Sequence, residues 1–140
     1  MDKLNLNSAC QSVHKLALKK GFENQPIPTN LMLVVTELSE AVEADRKNRH
    51  ADYPRFKGNL PVRFVFPSGR SYLSAPLDKC EEIYKASFEK YIKDTFEDEI
   101  ADAFMRLMDL CAELNIDIEA HIRAKFAYNE LRPPKHGKEY

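Results

Sequence analysis

Leu31, Val34, Val35, Leu38 and Val42 succeed one another at helical intervals, so that they share one face of an α-helix. The same period recurs in Phe96, Ala103, Leu107 and Leu110, and briefly in Ile118 and Ile122. A first helix is predicted from about Asn7 to Lys20, with Asn7 or Ser8 as N-cap and Gly21 as its stop. A second starts near Thr29 or Asn30, just after Pro28, and runs to about Asn48. From Leu77 to Arg132 there is neither glycine nor proline, which predicts long uninterrupted helix. It is divided into a third helix over roughly Asp78 to Leu114, with a possible break near Asp94-Thr95, and a fourth. The fourth opens on Asp117 as N-cap and ends before Pro133.

Between the second and third helices the period changes. Val62, Phe64 and Phe66 alternate with Arg63 and Val65, and Tyr72-Leu73-Ser74 follows. Phe66-Pro67-Ser68-Gly69 carries Pro and Gly where a tight turn needs them. A small β-hairpin is expected here, with an irregular loop as the alternative. The fold class is therefore all-α: a four-helix bundle in a single domain over residues 1–140, with an insertion at about 49–79 between helices two and three.

Charge separates the insertion from the rest. The whole chain of 140 residues has a formal net charge of -1, so nothing draws it globally to nucleic acid or anionic membrane. The insertion instead carries Arg49, Arg55, Lys57, Arg63, Arg70 and Lys79 against Asp52 and Asp78. A basic flap of this kind could meet a phosphate chain, or be a solvated loop; it is the sole basis for a nucleic-acid reading, which is not favoured. Cys10, Cys80 and Cys111 are scattered and form no CxxC, which points to a reducing cytoplasm and away from a disulfide framework or zinc site. The start, Met1-Asp2-Lys3-Leu4-Asn5, lacks an apolar signal core, and no stretch reaches membrane-spanning length.

The chemistry-bearing pattern is acidic. Glu37 with Glu40, and Glu99 with Asp102, form two i,i+3 pairs on two different helices, each pair about one turn apart on one face. By angle both pairs flank core surface, where unpaired carboxylates would repel one another and rise in pKa. A hard divalent cation with oxygen ligands relieves that repulsion. On the last helix Lys125, Asn129 and Arg132 share a strip with Ile118 and Ile122. Lys and Arg suit phosphate oxygens, and Asn can bond a sugar or base. His14, His50, His121 and His136 show no metal-ligand spacing, and neither Glu40 nor Glu99 has the histidine three residues on that a di-iron site wants.

The stretch Glu37-Leu38-Ser39-Glu40-Ala41-Val42-Glu43-Ala44 and the later Asp98-Glu99-Ile100-Ala101-Asp102 resemble the ExxE and ExxD halves of the MazG-type all-α nucleoside triphosphate pyrophosphohydrolases. Lys125-x-x-x-Asn129-x-x-Arg132-Pro133 resembles that family's closing motif, and Lys20-Gly21-Phe22 falls at the matching end of helix one. The resemblance implies a MazG-type bundle and hydrolysis of an NTP or dNTP to the monophosphate and pyrophosphate. It implies that Glu37, Glu40, Glu99 and Asp102 are the catalytic metal ligands, for Mg²⁺ or alternatively Mn²⁺. Lys125, Asn129 and Arg132 would contact the nucleotide or its phosphates. The chain departs from the family in the long separation between its motif halves and in having no Trp to stack on the base; Phe22 would stack instead. A homodimer or homotetramer is implied as well.

In such a site, water attacks the α-phosphorus while the cation neutralises charge on the leaving pyrophosphate. Glu43, Glu97 and Asp98 are further nearby acids, and Glu43, continuing the i+3 series, is a possible base. The alternative is a non-enzymatic helical dimerisation or interaction module, in which each of the four acids would face a Lys or Arg.

Overall fold

The computed structural model describes residues 5–22, 25–60 and 77–133, and every regular element among them is helical. In order these are α1 (Leu6–Lys19), α2 (Ile27–Arg46), α3 (Tyr53–Asn59), α4 (Leu77–Tyr91), α5 (Phe96–Glu113) and α6 (Ile118–Glu130). The fold is all-α across the described residues. The hairpin expected over Val62–Ser74 lies outside them. The described part of the insertion holds a helix that the alternation did not suggest: the Asp52 carboxylate accepts the Arg55 N–H at 3.0 Å and so caps α3. No described helix is long and apolar enough to cross a membrane.

Other boundaries move for local reasons. The cap of α1 is Asn5, whose side chain accepts the Ser8 N–H at 3.0 Å, and not Asn7 or Ser8. Helix α2 starts at Ile27, before Pro28, because a proline in the first turn lacks only an N–H that has no helical partner there. Gly21 does stop α1, at φ +83°. The long third helix is broken where expected: Asp94 takes a left-handed φ of 58° between α4 and α5. Asp tolerates that conformation better than most residues.

The chain divides into two compact units, Met1–Leu33 with Phe104–Tyr140, and Val34–Ala103. In the first, Asn7 ties α1 to α6. Its amide donates to Asp117 Oδ1 at 2.7 Å and its carbonyl accepts the Glu119 N–H at 3.3 Å. Asp117 caps α6 through the Ala120 N–H, and these bonds, Asn7 first, hold its carboxyl below the usual range. His14 Nδ1 lies 2.8 Å from Asp109, and Cys10 is buried. In the second unit α3 packs on α4 through rings: Phe56 meets Tyr84 and Phe88 edge-on, at centroid distances of 5.4 and 6.1 Å. Backbone bonds from Asp52 N to Tyr91 O and from Phe96 N to Arg49 O, both 3.0 Å, fasten the connection after α2.

The predicted core stripes are partly wrong. On α2 the buried positions are Val34, Glu37, Ala41 and Ala44, while Leu31, Val35, Leu38 and Val42 are about half exposed. Angular position locates a stripe but does not say which stripe finds a neighbour. Small side chains at Ala41 and Ala44 form the face that packs closest. On α5, Ala103 and Leu110 are buried as expected, whereas Leu107 is exposed and Glu99 lies in the buried line instead of along its edge. Helix α6 buries no residue, so the strip from Ile118 to Arg132 is not a core face of this chain.

Candidate metal and substrate cleft

The site is built by α2, α4 and α5 within the second unit. Thr95 starts α5: its hydroxyl donates to Ile92 O at 2.6 Å and lies 3.4 Å from the Asp98 N–H. The Asp98 carboxylate in turn accepts the Asp94 N–H at 3.0 Å, which closes the α4–α5 turn. Three acids in the first turn of α5, Glu97, Asp98 and Glu99, face its positive dipole end. Glu97 is spent on structure, since it accepts the Ala51 N–H at 2.8 Å and lies 3.2 Å from His50. That bond to Ala51, above all, holds its carboxyl below the usual range.

Glu37, Glu40 and Glu99 converge, with one carboxylate oxygen from each within 4.8 Å of the others. Glu37 and Glu99 are each only 7% exposed, so two of the three acids sit in the packed interior. Burial pushes the Glu99 carboxyl up to about 7, and the charges of Glu40, Glu37, Asp98 and Asp102 add to the rise. Asp102 lines the same cleft, which measures about 460 Å³ and is also lined by Tyr84, Lys85, Phe88, Glu89, Lys93, Asp94 and Asp98. All four acids of the two i,i+3 pairs are thus in one cleft, three of them in mutual contact range.

Asp98 is the acid whose importance spacing underrated. It is half-buried on the cleft wall, and burial raises its pKa more than the Asp94 N–H lowers it. Its proximity to Thr95 in a helix start was the available signal. Glu43, the possible base, is exposed and pairs with Lys47 at 2.7 Å; that bond holds its carboxyl low, and it does not line the cleft. The ion pairs at the cleft rim are Lys85 with Glu89 at 4.0 Å and Lys93 with Asp94 at 3.8 Å.

The other proposed substrate residues belong to the first unit. Phe22 is exposed just beyond α1. Lys125 and Arg132 both lie over the Tyr128 ring, at 5.2 and 5.8 Å from its centroid, and Asn129 is exposed beside them. His50 lies between Glu97 and Asp45, and His14 beside Asp109. No protein-family model, curated protein or solved structure matches this chain.

The donor set suits a hard cation. It is all carboxylate, converging and partly desolvated, and burial, with the neighbouring acids adding to it, raises the pKa of Glu99.

Proposed function

We propose that this chain is a Mg²⁺-dependent nucleoside triphosphate pyrophosphohydrolase of the MazG-like type, cleaving an NTP or dNTP to the NMP and pyrophosphate. The observation that carries it is the convergence of Glu37, Glu40 and Glu99 in a cleft shared with Asp102 and an aromatic wall. Tyr84 and Phe88, stacked at 6.2 Å, offer a flat apolar surface suited to a base, which favours a nucleotide over a bare polyphosphate. The resemblance adds Lys125, Asn129 and Arg132 as phosphate or sugar contacts and Phe22 at the base.

Glu37, Glu40, Glu99 and Asp102 would hold Mg²⁺ or Mn²⁺. When bound, the cation neutralises charge on the phosphate oxygens and the leaving pyrophosphate. Asp98 keeps one oxygen on the Asp94 N–H, leaving the other to take the proton of the attacking water. The water oxygen bonds to the α-phosphorus as the bridging bond to the β-phosphate breaks. Assay of an NTP and dNTP panel with Mg²⁺, read by chromatography at an early time, tests this. NMP and pyrophosphate are expected; NDP and orthophosphate as first products overturn the proposal.

Association into a homodimer or homotetramer belongs to the same reading. Val35, Leu38 and Val42 leave an apolar line on α2 at heptad-like spacing, which a second copy would cover. Light scattering at micromolar concentration is expected to give at least twice the chain mass of 16.2 kDa, and a strict monomer removes this part.

A further inference from the structure

Helix α4 supplies a cationic edge to the acidic cleft that no motif marks. Of the described residues lining the cleft, Glu37, Glu40, Glu89, Asp94, Asp98, Glu99 and Asp102 are acidic and only Lys85 and Lys93 are basic. An anionic ligand entering this cleft meets a field of its own sign nearly everywhere except at these two ammonium groups and at any bound cation. We propose that Lys85 and Lys93 are further phosphate-binding residues, taking oxygens of a polyphosphate chain on the α4 side of the cleft, beside the cation that the carboxylates would hold. This deepens the proposed function and rests on it.

Both lysines are loosely engaged. Lys85 Nζ is 4.0 Å from Glu89 and Lys93 Nζ is 3.8 Å from Asp94, with the lysine side chains 77% and 56% exposed. Exposed pairs at the outer limit of contact are worth little, so exchanging carboxylate for phosphate carries a small penalty. The backbone that carries Lys93 is nevertheless fixed. Its N–H is bonded to Phe88 O at 3.0 Å, and the next residue is the left-handed Asp94, locked by Asp98. A flexible ammonium on a rigid turn can reach a ligand without the turn having to reorganise. Lys93 lines the same cleft as Asp98 and Glu99, which places it beside the carboxylate set.

The test is calorimetric titration of the full-length chain with a non-hydrolysable α,β-methylene nucleoside triphosphate in saturating Mn²⁺, alongside Mn²⁺ titration followed by electron paramagnetic resonance. Lys85→Gln/Lys93→Gln is expected to weaken the analogue at least roughly tenfold, as loss of charge-assisted contacts should. The double Arg variant should restore most of the affinity, and Mn²⁺ binding without nucleotide should not weaken in either. Analogue affinity within about twofold of wild type in the Gln variant, with Mn²⁺ binding intact, overturns the lysine assignment and leaves the proposed function standing. Failure of the wild-type chain to bind Mn²⁺ at all defeats both.

Discussion

Glu40→Gln is expected to lower kcat/KM for the preferred nucleotide by roughly a hundredfold or more while leaving the helical circular dichroism unchanged. Glu40 is the exposed member of the converging trio, so the substitution opens no cavity and strands no buried group. What it removes is one carboxylate from the set proposed to hold the cation. Much of the lost activity should return at high Mn²⁺ if the defect is cation affinity. Asp102→Asn, on the same cleft wall, should behave alike. Wild-type turnover in Glu40→Gln, or undiminished turnover in EDTA, would detach the acids from catalysis.

Stripped of divalent cations, the protein should be more stable at pH 5 than at pH 8. The folded-state pKa of Glu99 is raised from 4.5 to about 7, so the folded chain holds its proton more tightly than the unfolded chain does. The destabilisation is absent below about pH 4.5, grows as pH rises between these values, and is complete above about 7. A shift of this size corresponds to roughly 3 kcal/mol. Urea unfolding across this range measures it. Glu99→Gln should flatten the profile, since the amide cannot ionise, and should stabilise the cation-free protein at pH 8. Mg²⁺ or Mn²⁺ added at pH 8 should stabilise wild type more than the variant. A wild-type profile as flat as that of Glu99→Gln would mean that the carboxylates are not gathered in solution.

Helix content and the acid pairs were legible in the sequence because both depend on local spacing. In a helix an i,i+3 interval puts Glu37 beside Glu40 whatever the tertiary fold, and a long run of helix formers without Gly or Pro favours helix. The stop at Gly21, the cap at Asp117 and the break at Asp94 are of the same kind. The α1 cap was misplaced because Asn5, Asn7 and Ser8 are equally good caps on propensity. Asn7 was claimed by Asp117 and Glu119, more than a hundred residues away.

Which face of each helix is buried was decided only in three dimensions. Periodicity ranks stripes by hydrophobicity, and by that measure Leu31, Val35, Leu38 and Val42 outrank the line of Val34, Glu37, Ala41 and Ala44 that α2 buries. Close approach at the two alanines settles the matter, and it carries Glu37 inward with them. Glu99 is drawn into the buried line of α5 in the same way. The sequence alone therefore determined that two acid pairs exist and that each is presented on one helical face. Only the packing of α2, α4 and α5 decided that they meet, that Asp98, Lys85 and Lys93 join them, and that Glu43 does not. Convergence depends on contacts between residues distant along the chain, and the spacing of neighbours does not encode it.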